Sequence, residues 1–96
     1  YPDFRLRAEE IEKKITKKTK FIIINSPNNP TGQVYTREEL EMVIQIARKH
    51  DLFIVSDDVY GRFIYDEPIP PFIGQMYEKT IILNGFSKSW AMTGWR

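Results

Sequence analysis

Three short runs constrain this chain more than anything else in it: Phe21-Ile22-Ile23-Ile24, Leu52-Phe53-Ile54-Val55 and Thr80-Ile81-Ile82-Leu83. Each is apolar or β-branched throughout, without the alternation of a strand that has one wet face, and that is the pattern of strands covered on both faces. Such strands build parallel sheets flanked by helices, since a parallel neighbour is reached only through a crossover long enough to hold a helix. Between the first two runs, Thr36 and Glu39 form a capping-box signature, and Leu40, Val43, Ile44 and Ala47 share one helical face. The spacing predicts a helix over residues 36–50. Upstream, Leu6, Ala8, Ile11 and Ile15 lie among Glu and Lys and predict an amphipathic helix over residues 6–15, ending in the Lys-rich stretch at 16–19. Strand, helix and strand in this order make a βαβ unit, whose crossover is expected to be right-handed. The connection to the third run passes through Pro68, Pro70 and Pro71 and gives a weaker pattern. The expected fold class is α/β, with a mainly parallel sheet flanked by helices.

Composition narrows the function classes. With 96 residues, 42% hydrophobic and 28% charged, the chain suits at most one small globular domain. Fourteen Lys and Arg oppose thirteen Asp and Glu, and a net charge of +1 gives no general drive toward nucleic acid or an anionic membrane. The cluster Lys13, Lys14, Lys17, Lys18 and Lys20 is read as a solvated helix end. Without cysteine there is no disulfide framework and no thiolate metal site, and a cytoplasmic location fits. No metal site is expected. No apolar run approaches the roughly 18 residues of a membrane span, and the chain does not begin like a signal peptide.

In parallel α/β sheets ligands collect at the carboxyl ends of the strands. The segments that follow the three runs are therefore where chemistry is expected. The first is Asn25-Ser26-Pro27-Asn28-Asn29-Pro30-Thr31-Gly32, where two prolines and a glycine forbid regular structure and mark a tightly specified loop. The second is Ser56-Asp57-Asp58-Val59-Tyr60, and the third runs from Asn84 through Gly85, Phe86, Ser87 and Lys88 to Gly94, Trp95 and Arg96. Taken singly, each has an ordinary explanation: a turn, a helix cap, a surface lysine. Taken together, in one order and each at a strand end, they closely resemble the three cofactor-contacting signatures of class I and II aminotransferases, pyridoxal phosphate (PLP) enzymes of fold type I. The resemblance covers nearly the whole chain and is closest to the aspartate and aromatic aminotransferase branch.

The resemblance implies a role for each motif residue. Lys88 is the lysine that forms the Schiff base with PLP and later moves a proton between substrate and cofactor. That chemistry demands an amine that is neutral part of the time, which burial or a neighbouring cation favours. Asp57 is the carboxylate that keeps the pyridine nitrogen protonated, so that the ring can withdraw electrons. Tyr60 and Asn29 donate hydrogen bonds to the ring's phenolic oxygen. Arg96 binds the phosphate with a planar fork that a lysine lacks. The Asn29-Pro30 bond is expected to be cis.

Departures from the family pattern are specific. Many relatives carry a hydroxyl residue three positions before the lysine, where this chain has Gly85, and Ser87 or Ser89 is expected to supply that hydroxyl instead. Asp58 stands where relatives often have Glu and is read as structural or as a support behind the cofactor-contacting residues. His50 is read as favouring the end of the middle helix, and Trp90, Met92 and Trp95 as packing residues.

The absence of an initiator Met and an end directly after a motif lead us to expect a central piece of the large PLP-binding domain, with N-terminal and C-terminal parts of the parent lying elsewhere. The parent is expected to be a homodimer that moves an amino group between an amino acid and a 2-oxo acid. Two alternatives stay open: a PLP-dependent lyase on the same fold, and a noncatalytic domain that senses PLP or an amino acid. The chain alone is expected neither to bind PLP tightly nor to transaminate.

Overall fold

Strand-forming residues occur where the apolar runs predict them. The computed structural model describes residues 3–65 and 68–95, with β1 at Phe21–Asn25, β2 at Phe53–Asp57 and β3 at Thr80–Leu83. The strands form one parallel sheet in the order β1-β2-β3. Its register sets Ile22 beside Ile54 and Ile54 beside Thr80, and at the carboxyl ends sets Asn25 beside Asp57 and Asp57 beside Leu83.

The helices are α1 at Ala8–Glu12, α2 at Arg37–Lys49, α3 at Ile73–Met76 and α4 at Phe86–Ser89, with a 3₁₀ turn at Thr93–Trp95. The expected long helix after Thr36 is α2, and its capping box is complete: the Thr36 hydroxyl accepts from Glu39 N at 3.3 Å, and Glu39 Oε2 accepts from Thr36 N at 2.8 Å. The upstream helix is shorter than the periodicity predicts. It ends at Glu12, and a local turn at 16–19, in which Thr19 Oγ1 accepts from Thr16 N, takes over the backbone instead. Hydroxyl side chains that bond nearby backbone compete with helix, which accounts for the early stop. Leu6, Ile11 and Ile15 still pack on the core. Glu12 joins α1 to the end of α2 by accepting from Lys49 Nζ at 2.9 Å and lying 2.8 Å from His50 Nε2, so His50 does sit at the helix terminus. The lysine cluster is exposed, as a solvated face should be.

One face of the sheet carries the core. Leu40, Val43, Ile44 and Ala47 of α2 pack on Ile24 and Ile54, with Leu52, Ile73 and Tyr77 closing the cluster. The Tyr77 hydroxyl is satisfied inside it by the Leu52 carbonyl at 2.7 Å. Cover on both faces is expected from the sequence, but within the described residues the second face is open: Phe21, Ile23, Phe53, Ile81 and Leu83 are between 47% and 62% exposed. No described helix is long and apolar enough to cross a membrane.

Glu39 does more than cap. Its carboxylate also accepts from Leu6 N and from Arg5 Nη1, each at 3.1 Å, and so ties the incoming chain to α2. Thr36→Ala is expected to cost about 1 kcal/mol, and Glu39→Ala more than Thr36→Ala because it releases residues 5 and 6 as well. Chemical denaturation of both variants checks the order.

Candidate active site

Parallel register brings all three strand ends to one edge of the sheet, and the unusual segments leave from that edge together. In the first loop, Asn28 organises the turn: its Oδ1 accepts from the Thr31 hydroxyl at 2.8 Å, and its carbonyl accepts from Gly32 N at 2.7 Å. Gly32 sits at φ +71, a left-handed conformation that favours glycine. The Asn29-Pro30 bond is cis, as expected, and so is Ser26-Pro27, which nothing in the sequence singles out. Pro27 is buried, whereas Asn29 is exposed above the strand end.

The second segment is held from behind. Ser56, the buried polar residue of the described chain at 3% exposure, donates through its hydroxyl to Asp58 Oδ1 at 2.6 Å. Asp58 N extends the sheet ladder to the Leu83 carbonyl at 2.8 Å. Both bonds turn Asp58 into the structure and match its reading as structural. Asp57 is half-buried, and its Oδ1 accepts from Val59 N at 3.3 Å, which sets the rotation of the carboxylate.

Across the loops, Asn29 Nδ2 lies 3.3 Å from the Tyr60 hydroxyl. Lys88 Nζ lies 5.9 Å from the centre of the same tyrosine ring. The third segment is fastened at Ser89, whose hydroxyl donates to the Val59 carbonyl at 3.5 Å, while Ser87 is half-buried and its carbonyl accepts from Met92 N at 3.0 Å. The structure thus brings Asn29, Tyr60 and Lys88 together from three segments, with Asp57 at the carboxyl end of β2. Arg96 lies outside the described residues. Among the described residues no group of three or more His, Asp or Glu could hold a metal ion.

The family model for aminotransferase class I and II matches residues 1–96. The chain belongs to that family. It is 52% identical to aromatic-amino-acid aminotransferase 2 of Thermococcus litoralis and 50% identical to an aspartate aminotransferase of Pyrococcus abyssi, with 98% of this chain covered in each comparison. Among solved structures, an aromatic aminotransferase of Pyrococcus horikoshii superimposes with a TM-score of 0.92 at 48% identity over 100% of this chain. An aspartate aminotransferase of Thermus thermophilus with maleate gives 0.91 at 41% identity, also over 100% of this chain. The chain spans about a quarter of the length of these relatives: 25% of both curated proteins, and 27% and 26% of the two solved chains.

The geometry of the segment leaves Lys88 exposed. Trp90 and Trp95 are 55% and 81% exposed instead of packed, and Trp90 is covered on one face by the Arg62 guanidinium at 4.7 Å. They lie beyond β3, one of the two edge strands of this sheet, where the described residues offer no second layer. Sequence reasoning placed Asn25 and Ser56 in the chemistry-bearing segments without giving either a role, and passed over Arg62. For Asn25 a signal existed, since a polar amide closes an apolar run at the strand's carboxyl end.

Two glycines of the site make opposite demands. A Cβ at Gly32 would meet no atom but would be strained by its positive φ, whereas Gly85 has an extended backbone and open space around a Cβ. Gly32→Ala is expected to cost roughly 1–2 kcal/mol, and Gly85→Ser to change stability by no more than about 0.5 kcal/mol. Thermal melts of the two variants distinguish these outcomes.

Proposed function

We propose that the full-length protein is an aminotransferase that moves an amino group between an amino acid and a 2-oxo acid, with PLP held at the carboxyl ends of β1, β2 and β3. The observation that carries this is the meeting at Tyr60 of the Asn29 amide, 3.3 Å from its hydroxyl, and the Lys88 amine, over its ring at 5.9 Å from the centre, in a chain of the class I and II aminotransferase family. Its donor set suits the cofactor. Two uncharged donors 3.3 Å apart can share one anionic phenolic oxygen, an amine lies close by, and a carboxylate stands at the neighbouring strand end.

Bound there, PLP supplies a carbonyl that condenses with amines and a ring that accepts the electron pair left when a carbon–hydrogen bond breaks. Lys88 Nζ supplies the amine for attachment and, once free, takes and returns the proton at the substrate carbon. Both tasks need the uncharged amine, which desolvation favours. Lys88 is exposed in this segment, and its desolvation is assigned to the remainder of the protein or to the cofactor itself. Asp57 holds a proton on the ring nitrogen, with its carboxylate steadied by Val59 N. Tyr60 and Asn29 donate to the phenolic oxygen and so set how tightly neighbouring protons are held. Ser87 is assigned to the phosphate by its hydroxyl and Arg96 by its guanidinium fork, whose paired donors match phosphate oxygens. The segment is assigned to the centre of the large domain, and the parent to a cytoplasmic homodimer, both on the family resemblance. The names of the similar proteins, aspartate and aromatic-amino-acid aminotransferases, favour transamination over a lyase reaction.

Borohydride reduction of the PLP-loaded full-length protein, followed by peptide mass mapping, is expected to place the phosphopyridoxyl group on Lys88. Reproducible labelling of another lysine instead would overturn the assignment. Asp57→Asn is expected to retain most PLP binding, followed by absorbance, while turnover falls by several orders of magnitude because the ring nitrogen loses its anionic partner.

A further inference from the structure

Asn25 closes β1, and its partner across the sheet is Asp57. The side-chain amide of Asn25 is half-buried and makes bonds of opposite polarity at its two ends. Its Nδ2 donates to the Asp57 main-chain carbonyl at 3.2 Å. Its Oδ1 accepts from Asn29 N at 3.1 Å and from Asn28 Nδ2 at 3.1 Å. A backbone carbonyl can only accept and a backbone N–H can only donate, so the two main-chain partners fix which way the amide faces. A carboxylate at this position would set an oxygen against the Asp57 carbonyl, and an apolar isostere would satisfy neither side.

Those two main-chain partners belong to Asn29 and Asp57, whose side chains serve different edges of one ring in the function proposed above. A pyridine ring is rigid, so its phenolic oxygen and its ring nitrogen are a fixed distance apart. Two side chains can meet both atoms only if their own separation is held. Backbone register fixes Asp57, but Asn29 lies four residues beyond Asn25 in a loop outside the ladder. Asn28 bonds knit that loop internally, whereas the Asn25 amide fastens it to the strand that carries Asp57.

We propose that Asn25 is a positioning residue for the cofactor site, holding Asn29 at a set distance from Asp57 so that both engage the same ring. This rests on the assignment of Asn29 to the phenolic oxygen, and the test separates the two.

In the PLP-loaded full-length protein, the visible absorbance of the bound cofactor is titrated against pH for the wild type, Asn29→Ala, Asn25→Ala and the double variant. Melting of the PLP-free proteins is followed alongside. An oxygen anion that loses a donor holds the proton it shares with its neighbour more tightly, so Asn29→Ala is expected to raise the titration midpoint by about one unit. Asn25→Ala is expected to raise it in the same direction, and the double variant to match Asn29→Ala, because residues acting through one another are not additive. A lower melting temperature for Asn25→Ala with an unmoved midpoint, or fully additive shifts, overturns the positioning role. An unmoved midpoint in Asn29→Ala overturns the assignment of Asn29 and this inference with it. If Asn25→Ala gives no cooperative melt, Asn25→Gln, which keeps donor and acceptor but moves them by one methylene, is read by the same criteria.

Discussion

Everything in this segment depends on the parallel pairing of β2 with both of its neighbours. Backbone bonds along β1-β2 and β2-β3 leave one register, in which Asn25, Asp57 and Leu83 finish side by side. A slip of one residue would turn every side chain of a strand to the opposite face. Ile24 and Ile54 would then leave the α2 side, and Asp57 would exchange orientation with buried Ser56. The register is held by the α2 contacts on one face, by Ser56 bonded to Asp58 at the strand exit, and by the Asn25 amide that crosses from one strand end to the next. Chemistry-bearing loops are thereby displayed from an edge whose geometry is set by backbone hydrogen bonds and core packing rather than by the loops themselves.

The two faces of the sheet differ in what this segment supplies. Burial of Ile54 and Val43, both fully enclosed at 0% exposure, gives the α2 side an ordinary packed core. The opposite face presents five large apolar side chains about half open to solvent, an arrangement a soluble protein seldom leaves uncovered. The same openness extends to Lys88, Trp90 and Trp95. Within a family whose similar members are about four times as long, these residues have the composition of an interior and the exposure of a boundary. Surface ion pairs such as Lys13 with Glu10 and Arg37 with Glu41 contribute little beside that apolar area.

Local sequence determined a large share of the architecture. β3 has the predicted limits, β1 and β2 extend one and two residues past their apolar runs, and α2 begins after the residue that its capping box marks. These features are written in short-range chemistry: β-branched propensity, a hydroxyl paired with a carboxylate three residues on, and prolines that fix the first loop. The motif residues were legible for the same reason, as fixed residue types at fixed offsets from strand ends. Where the local code was ambiguous it misled, as in α1, whose apolar spacing continues past Glu12 while the threonines at 16 and 19 bond their own backbone. Only the tertiary structure decided which side chains meet. The Asn29 to Tyr60 bond joins residues 31 apart, and the Asn25 to Asp57 bond joins residues 32 apart. Such contacts depend on sheet register and on which face α2 covers, and neither is encoded within any single stretch of chain. Exposure of Lys88 and of the second sheet face was decided at the same level, because burial is a property of the surrounding layers and not of the residue that is buried.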